Sequence, residues 1–491
     1  MTTTHPRQAQ AGRLFFRDRE RASAPAGVPA TAERPATPTG VAATGDRPAT
    51  RTGVAVTTHR PTTPTGVAAT AERVLRSVAG GRLTRLPFAV RFWDGSVIPP
   101  RAGEENTPTL LVRDRHALSQ LLREPNEIGL TRAWVEQSLD LEGDLDTVLA
   151  GREGLAGVRL TARERSRLAL AAVLAAGPRV LRRPAVPGIE VRPQGRRHSI
   201  ERDREAVRHH YELSNRFYEL MLGPTMVYSC AYFEDPAESL ERAQERKLEM
   251  ICRKLRLSGG ERLLDVGCGW GSLLIHAAEH HGVRGVGITL SDAQAALARE
   301  RVARAGLSDR VEIRVCDYRE VDDGPYDKVA SVGMYEHVGR DQLDRYVGHI
   351  HDLLRPGGLF LNHGIARLRQ RPRGEDTFIT RYIFPDGELH PVTDVLTSME
   401  ASSLEIRDVE SLREHYPLTL RRWAANVDAR RAEAIREVGE MRLRAWRLYV
   451  LGSARAFASG EISVFQVLSA RGGAAHELPL SRRALLAPPC A

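Results

Sequence analysis

The feature that most constrains the fold is a glycine-rich turn that directly follows an apolar run. Residues 263–271 read L-L-D-V-G-C-G-W-G, and a helical segment at 272–278 follows at once. Because glycine lacks a Cβ atom, a ligand can lie directly against the main chain of such a turn. A strand that ends in this way also exposes backbone N–H groups at the carboxyl edge of a sheet. The spacing G-x-G-x-G differs from the G-x-G-x-x-G of dinucleotide-binding proteins, and a structural turn can carry it too.

Further strands follow the glycine turn at regular intervals. Apolar segments at 283–291, 311–318, 327–333 and 358–363 each end in polar or small residues. Helical segments alternate with them, notably at 293–305 and 340–354. Strands that alternate with helices predict βαβ units and a parallel sheet, with the ligand at the carboxyl ends of the strands. The sequence therefore predicts a doubly wound, Rossmann-like α/β domain.

Composition narrows the partners without selecting one. The chain has 71 Lys and Arg against 62 Asp and Glu, a formal charge of +9, which favours a phospholipid surface or nucleic acid. No apolar run approaches the ~20 residues that span a bilayer. The five cysteines show neither paired nor metal-ligand spacing, so we expect free thiols in a reducing cytoplasm and no metal site.

The chain divides into five segments by composition and pattern. A Pro-, Thr- and Gly-rich stretch with a 13-residue repeat cannot build a core, and we expect it to be a disordered tail. A small α+β unit with strands at 88–96 and 109–112 and helices at 117–122, 132–139 and 145–150 follows. An arginine- and proline-rich stretch is either a solvated linker or a basic membrane-facing patch. The expected order is tail 1–74, α+β domain 75–162, basic linker 163–198, catalytic domain 199–471 and disordered tail 472–491.

Six motifs follow one another along the 199–471 segment. They are H-Y-E-L-S-N-R-F-Y at 210–218, Y-S-C-A-Y-F at 228–233, D-V-G-C-G-W-G at 265–271, G-M-Y-E-H-V-G at 333–339, R-Y-I-F-P-D-G at 381–387 and H-Y-P-L-T-L-R-R-W at 415–423. Together they closely resemble the cyclopropane-fatty-acyl-phospholipid synthases and the mycolic acid cyclopropane synthases. The resemblance spans roughly 200–467, and the 75–162 unit resembles more loosely the lipid-binding domain of the longer synthases. It implies a class I S-adenosylmethionine-dependent methyltransferase fold.

The resemblance also implies a reaction. An alkene is a poor nucleophile, so the electrophile must be strong, and the sulfonium methyl of S-adenosylmethionine is one. Methyl transfer leaves a carbocation that aromatic faces can stabilise and from which water must be excluded. A base then removes a methyl proton as the ring closes. In the family that base is bicarbonate, and the resemblance implies that it is bound by the main chain at Cys230 and by the side chains of Glu336, His363 and Tyr416.

The same resemblance implies a set of cofactor-binding residues. Asp265 either orders the turn or meets the methionine ammonium, Gln294 reaches the ribose and Tyr318 stacks on adenine. The full expected set is Tyr228, Ser229, Leu263, Leu264, Asp265, Val266, Gly267, Cys268, Gly269, Trp270, Gly271, Thr289, Leu290, Ser291, Gln294, Tyr318 and Arg319.

Since phospholipid double bonds lie inside the bilayer, the expected partner is an unsaturated phospholipid, met at the inner face of the membrane by a cytoplasmic enzyme. The arginine-rich 163–198 segment and the loop at 367–373 are the candidate contacts. A homodimer and a monomer both remain open.

Three rival interpretations can be compared with this one. A nucleic-acid methyltransferase would use the positive charge, but it needs a base-flipping pocket with its own motif, and neither N-P-P-Y nor P-C-Q occurs, so nucleic acid is not an expected partner. A non-catalytic lipid-binding relative would have lost motif residues that this chain keeps. Within the family, the same cation can instead lose a proton from the chain carbon and leave a methylene or methyl branch, or take up water. The positions of base and water decide between these products, and sequence does not resolve them.

Overall fold

The computed structural model describes residues 65–78, 86–100, 107–151, 161–192, 195–211, 213–368 and 377–486. The first three ranges form the expected small α+β unit. Its four strands, β1 (Ala89–Phe92), β2 (Val97–Ile98), β3 (Thr109–Val112) and β4 (Leu139–Glu142), run in the order β2-β1-β3-β4. Strands β1 and β3 are parallel, and the other two pairs are antiparallel. The elements are α1 (Gly66–Val78), β1 (Ala89–Phe92), β2 (Val97–Ile98), β3 (Thr109–Val112), α2 (His116–Arg123), α3 (Glu127–Val135), β4 (Leu139–Glu142) and α4 (Leu145–Gly151).

Helix α1 begins inside the segment 1–74 that the sequence assigned to a disordered tail. Val67 and Ala68 are buried in the core of the α+β unit. Their N–H groups donate to the side chains of Asp94 and Ser96, at 2.9 Å in each case. The start of α1 is therefore held by the β1–β2 turn, and the unit begins earlier than position 75. Residues 1–64 lie outside the described residues.

The helix expected at 132–139 is displaced. Asn126 accepts hydrogen bonds from the N–H groups of Ile128 and Gly129, so α3 begins at Glu127. Gln137 has a φ of 63°, a left-handed conformation that ends the helix. The chain then enters β4 at Leu139, a strand that the sequence pattern did not predict because it contains two acidic residues.

The segment 163–198 is not a solvated linker. It opens with helix α5 (Ala162–Ala176), which is started by a capping box between Thr161 and Glu164. Farther along, the side chain of Glu190 is fully buried and receives two hydrogen bonds from Arg132, at 2.8 and 2.9 Å, and one from Tyr382 at 3.0 Å. Glu190 thus ties this segment to both neighbouring parts of the chain.

The catalytic part is built on a second sheet of seven strands in the order β10-β11-β9-β8-β5-β6-β7. Five strands are parallel and confirm the doubly wound prediction: β5 (Arg262–Val266), β6 (Arg284–Thr289), β7 (Val311–Val315), β8 (Tyr326–Val332) and β9 (Leu354–Arg367). The chain runs outward from β5 to β7 and then returns to the other side of β5 with β8. A sheet of this kind binds its ligand at that switch point. Strand β11 (Ile462–Arg471) is antiparallel to both β9 and β10 (Leu404–Ser411).

Helices cover both faces of this sheet. Those before and between the parallel strands are α6 (Ile200–Tyr211), α7 (Asn215–Leu222), α8 (Leu240–Lys254), α9 (Ser272–His281), α10 (Asp292–Arg304) and α11 (Leu343–Leu353). Those that follow are α12 (Phe378–Tyr382), α13 (Val392–Ala401), α14 (His415–Ala429) and α15 (Arg431–Ala458), the last kinked at Gly439. Among the described residues, no helix is both long and apolar enough to cross a bilayer.

The tail expected at 472–491 is ordered as far as it is described. It contains the short helix α16 (Arg482–Leu486). The Arg482 guanidinium lies 3.2 Å from carboxylates of both Asp408 and Glu410 on β10, and Leu485 is buried. These long-range ion pairs hold the segment, and a local sequence pattern could not predict them.

Arg444 on α15 joins the α+β unit to the catalytic part. Its guanidinium donates to the carbonyl oxygens of Trp134 and Leu139, at 2.7 and 2.8 Å, and lies 3.1 Å from the Asp140 carboxylate. The Trp134 indole N–H in turn donates to the Arg444 carbonyl at 3.1 Å, and the guanidinium lies over the indole ring. Since Arg444 is 6% exposed, these interactions are shielded from water.

Replacing Arg444→Ala should weaken this junction, because it leaves two buried carbonyl groups without their donor and leaves the Asp140 carboxylate paired with Arg113 alone. We expect a loss of about 3 kcal/mol in the free energy of unfolding, measured by urea denaturation. The control is Arg447→Ala on the same helix, whose pair with Asp428 is partly exposed and is worth at most ~1 kcal/mol. Equal effects of the two changes would contradict the assigned role.

Candidate active site

The turn after β5 has the backbone that the sequence pattern predicted. Gly267, Gly269 and Gly271 have φ values of +81°, +54° and +78°, in the region that favours glycine. The N–H groups of Gly267 and Cys268 donate to the carbonyl of Ile288 on β6, at 3.0 and 2.9 Å. A Cβ atom at Gly269 would have no atom of the described residues within 4 Å. The main chain of the turn therefore faces open space.

That space is a cavity at the carboxyl ends of β5, β6 and β8, with a volume of about 140 Å³. Residues 226–229 of the 225–233 segment and the first residues of α9 complete its wall. Most of the residues predicted to bind the cofactor line it: Tyr228, Ser229, Asp265, Val266, Gly267, Cys268, Gly269, Trp270, Thr289, Leu290, Gln294 and Tyr318.

Five other predicted residues do not line the cavity, each for a structural reason. Leu263 and Leu264 are fully buried in β5, where they pack against helices. Gly271 faces Ala298 of α10. The Ser291 hydroxyl caps α10 by accepting from the Gln294 N–H at 3.2 Å. Arg319 pairs with Asp317 and Asp203, at 2.6 and 3.0 Å, so its guanidinium is already engaged.

Thr289 and Gln294 form one unit of the wall. The Thr289 hydroxyl donates to the side-chain oxygen of Gln294 at 2.7 Å, and both residues are buried. Gln294 therefore has a fixed orientation before any ligand enters. This is the arrangement expected of a side chain that recognises a ligand rather than one that solvates the surface.

The prediction missed Lys247 on α8, which lines the cavity and is 2% exposed. Its ammonium donates to the Ser229 hydroxyl at 2.8 Å. Burial lowers the pKa of Lys247 to about 8, although the nearby Asp265 opposes the shift. Burial likewise raises the pKa of Asp265 to about 7, and Lys247 opposes that shift. The chain has only three lysines against 68 arginines, and this rarity of lysine was a signal available in the sequence. In the structure all three lysines are buried.

A cluster of aromatic side chains adjoins the cavity. Tyr228 lies on the shared wall, and its hydroxyl is 3.2 Å from both the Tyr449 hydroxyl and the His210 Nε2. The His210 ring stacks on Phe384 with 4.0 Å between centroids. Tyr449 was not predicted, because it lies on α15, far along the chain from every motif. The cluster comprises His210, Tyr211, Tyr218, Tyr228, Phe384, Trp423, Trp446 and Tyr449.

Glu336 is buried at the start of a short 3₁₀ turn after β8. Its Oε1 accepts a hydrogen bond from the Ile365 N–H of β9 at 2.7 Å. Its Oε2 is also buried and has no hydrogen-bond partner among the described residues. Burial raises the pKa of Glu336 to about 7, and the hydrogen bond from Ile365 opposes the shift. Glu336 therefore changes its charge near neutral pH and has one oxygen available.

His363 lies on β9, two residues before Ile365. The side chains of His363 and Ile365 therefore point to the same face of the strand. Its Nδ1 is 3.2 Å from the side-chain nitrogen of Gln466, and its buried Nε2 has no partner among the described residues. Burial lowers the pKa of His363 well below its usual value, and Lys247 and Lys254 lower it further. The imidazole is therefore neutral. A hydrogen bond from the Gln466 amide to Nδ1 would place the ring proton on Nε2.

Tyr416 and Cys230 complete the predicted catalytic set. The Tyr416 ring stacks on Phe457 at 4.3 Å, and burial raises its pKa, reinforced by Tyr449, Cys230 and Glu336. Tyr416, Cys230 and Glu336 thus share one electrostatic environment. The Cys230 thiol is fully buried and lies 3.7 Å from the Leu412 carbonyl. Burial raises its pKa, so it remains a thiol.

The family described as mycolic acid cyclopropane synthetase matches residues 198–467. This chain belongs to that family. It is 39% identical over 404 residues to the probable fatty acid methyltransferase of Pseudomonas putida, covering 81% of this chain and 95% of the relative. It is 38% identical over 263 residues to the cyclopropane-fatty-acyl-phospholipid synthase of Escherichia coli K12, covering 54% of this chain and 67% of the relative.

A solved structure confirms the fold. The mycolic acid cyclopropane synthase CmaA1, complexed with SAH and CTAB, has a TM-score of 0.52 and 34% sequence identity, covering 55% of this chain and 98% of that one. The chain is therefore a SAM-dependent methyltransferase that acts on lipids.

Gly269→Val should abolish binding of S-adenosylhomocysteine, because the added side chain would enter the cavity at the point where the main chain is open. Calorimetric titration should show at least a ~100-fold weaker affinity. The matched control is Gly306→Val after α10, which has the same left-handed backbone (φ +70°) and open surroundings but does not line the cavity. Equal affinities in the two folded variants would disprove the placement of the cofactor.

Proposed function

We propose that this enzyme transfers the methyl carbon of S-adenosylmethionine to a cis double bond of an unsaturated phospholipid acyl chain and closes a cyclopropane ring, with bicarbonate as the base. One observation carries the proposal. The cavity beside the glycine turn adjoins a buried aromatic cluster that Tyr228 shares with it, and a carboxylate with an unpartnered oxygen, Glu336, lies next to that cluster.

The cavity has the features that a bound S-adenosylmethionine requires. When bound, this cofactor supplies an electrophilic methyl group. The open main chain at Gly269 allows close approach of the ligand, and Asp265 offers a carboxylate to its ammonium group. Gln294, held by Thr289, would bind the ribose, and Tyr318 would pack on the adenine. Lys247 holds Ser229 at 2.8 Å and keeps this end of the cavity polar.

The aromatic cluster suits a reaction in which positive charge develops on an acyl chain. Faces of Tyr and Trp rings stabilise a cation electrostatically, and they do so without supplying a nucleophile. The rings of Tyr218, Trp423 and Trp446 are buried, so water is kept from the reacting carbons. This matters because water would capture the cation as an alcohol.

The chemistry of the predicted base-site residues suits a small oxyanion. Two buried polar atoms, Glu336 Oε2 and His363 Nε2, have no partner among the described residues, and leaving such atoms unsatisfied costs about 1–3 kcal/mol each. Bicarbonate bound there would supply the base that takes the methyl proton. Glu336 would accept the hydrogen bond of its hydroxyl, while His363, Tyr416 and the Cys230 N–H would donate to its oxygens.

Glu336→Gln should lower kcat by ~10²-fold or more, since the amide retains the shape but loses the charge that orients the base. Cofactor affinity should barely change. Turnover is measured with labelled S-adenosylmethionine and vesicles of unsaturated phospholipid. In the parent enzyme kcat should rise with pH, with its midpoint at about 7 where Glu336 is half ionised, and this dependence should vanish in the variant.

Cys230→Ser should retain most activity, because the main-chain N–H of residue 230 rather than the thiol is proposed to act. An inactive Cys230→Ser variant beside an active Glu336→Gln variant would reverse the two roles.

A second product is supported by the relatives. The Pseudomonas putida protein, which aligns over most of this chain, is called a probable fatty acid methyltransferase rather than a cyclopropane synthase. The same cation can instead lose the proton of the chain carbon that carries the new methyl group, which leaves a methyl-branched alkene. Alternatively, a 1,2-hydride shift followed by loss of a methyl proton leaves a methylene branch. Cyclopropane and methylene products are isomers, so mass alone does not separate them. Proton NMR of lipids from cells that express the gene distinguishes ring from vinylidene protons and decides between the two.

The phospholipid part of the proposal is supported by a surface on α5 and the turn after it, here called the α5 surface. Arg163, Arg167, Leu170 and Leu174 follow one another at helical spacing, and all four are exposed. The apolar members Leu170, Leu174 and Leu181 are 61%, 74% and 61% exposed. Arg179, Arg182 and Arg183 lie beside Leu181 in the sequence and are exposed too. Apolar side chains among arginines suit an anionic lipid surface. The loop at 367–373 lies outside the described residues from 369 onward.

Changing Arg179→Glu and Arg183→Glu together should weaken co-sedimentation with anionic phosphatidylglycerol vesicles and reduce turnover on them. Each arginine contributes ~1 kcal/mol near such a surface, and salt should screen the effect. Turnover on dispersed short-chain phospholipid should stay unchanged. The matched control is Arg304→Glu with Arg310→Glu, two exposed arginines on the catalytic part. If both pairs lose binding equally, net charge rather than the α5 surface mediates docking.

A further inference from the structure

A cluster of metal-binding side chains lies between α8 and α9, outside the cavity. The Cys252 sulfur and one ring nitrogen each of His276 and His281 lie within 4.8 Å of one another. Cys252 is fully buried, and the two imidazoles are half-buried. Nothing in the proposed methyl transfer uses these residues.

A fourth donor lies next to the two imidazoles of the cluster. Oε2 of Glu249, one turn before Cys252 on α8, lies 3.1 Å from the His276 Nε2 and 3.0 Å from the His281 Nε2. The other carboxylate oxygen of Glu249 accepts from Arg253 at 2.7 Å. This bond fixes the orientation of the carboxylate and leaves Oε2 facing the two imidazoles.

We propose that Glu249, Cys252, His276 and His281 form a tetrahedral Zn²⁺ site. One thiolate, two imidazoles and one carboxylate are a donor set that Zn²⁺ takes in proteins. Ligand atoms of such a site are about 3.5 Å apart, given Zn–S and Zn–N distances of ~2.3 and ~2.0 Å. Two of the separations involving Glu249, 3.1 and 3.0 Å, are already close to that value. The sulfur lies within 4.8 Å of the imidazole nitrogens, so zinc binding requires the Cys252 side chain to move toward the other three ligands.

Charge and protons balance in this step. Zn²⁺ displaces the Cys252 thiol proton, which leaves to solvent, and each neutral imidazole carries its one proton on Nδ1 while Nε2 binds the metal. The thiolate and the carboxylate together neutralise the two positive charges. The partly buried site therefore carries no net charge, which keeps its desolvation cost low.

The position of the site indicates its role. Lys247 and Leu248, just before Glu249 on α8, line the cofactor cavity, and so do Ser272 and Leu273 at the start of α9. A metal bound one turn farther along both helices would clamp them together behind the cavity. We assign the site a structural role, and the assignment does not depend on the proposed reaction. Linear spacing did not reveal it, because the ligands come from two helices separated by β5.

The test uses the full-length protein without an affinity tag. It is stripped with a chelator and titrated with Zn²⁺ and, as a spectroscopic probe, with Co²⁺. We expect one Zn²⁺ per chain, a thiolate-to-cobalt charge-transfer band, intense visible bands of tetrahedral Co²⁺, and a rise in Tm of about 5 °C at saturating Zn²⁺. Cys252→Ser should remove the charge-transfer band, and His281→Ala should lower the affinity for Zn²⁺ at least ~100-fold.

The matched control is His280→Ala, an exposed imidazole next to His281 that is not in the cluster. It should bind Zn²⁺ as the parent does. Failure of the parent protein to take up Zn²⁺ at micromolar concentration would overturn the proposal and leave Glu249 as a hydrogen-bond acceptor for two histidines. Uptake without a charge-transfer band, or uptake unchanged by both Cys252→Ser and His281→Ala, would also overturn it.

Discussion

The left-handed backbone after β5 is the constraint on which the rest of the active site depends. Three glycines with positive φ let the chain leave the sheet and start α9, and at Gly269 the main chain is open to the cavity. The turn is fixed to the neighbouring strand by two N–H groups that share the Ile288 carbonyl. Because β8 returns on the opposite side of β5, the strand order reverses at β5, and the cavity opens at that switch point. Other residues that line the cavity, from α8, α9 and the ends of β6 and β8, lie around this turn.

Buried charge is the second organising element. The chain makes almost all of its positive charge from arginine, yet each of its three lysines is buried against carboxylates or a hydroxyl. A compact ammonium fits such a space, whereas a planar guanidinium needs several acceptors arranged in a fork. Lys247 thereby connects α8, the 225–233 segment and β5 at the floor of the cavity. Its proximity to Asp265 keeps that floor polar in an otherwise apolar interior.

The region around Glu336 is, by contrast, incompletely paired. A folded protein satisfies nearly all of its buried polar atoms, so the unpartnered atoms on Glu336 and His363 support the ligand position proposed above. Burial also moves the pKa of both groups in the direction that removes charge. The aromatic cluster beside Glu336 consists of Tyr, Phe and Trp rings and the imidazole of His210. The proposed reaction, which creates a transient cation and needs a base close to it, would make use of both properties.

The sequence by itself determined the parallel sheet, the glycine turn, the family and most of the cavity wall. These follow from local patterns: alternation of strands and helices, glycine spacing, and motifs in which neighbouring residues act together. Only the tertiary structure decided which predicted residues reach the cavity, as for Ser291, which caps α10 instead. Likewise, Glu190 pairs with Arg132 and Arg482 pairs with Asp408, both far along the chain. Because of these pairs, the expected linker and part of the expected tail are packed against the rest of the protein. Tyr449, Lys247 and the cluster of Glu249, Cys252, His276 and His281 escaped prediction because their neighbours come from separate helices. Contacts of that kind depend on how helices pack across a sheet, and no short-range pattern in the sequence records them.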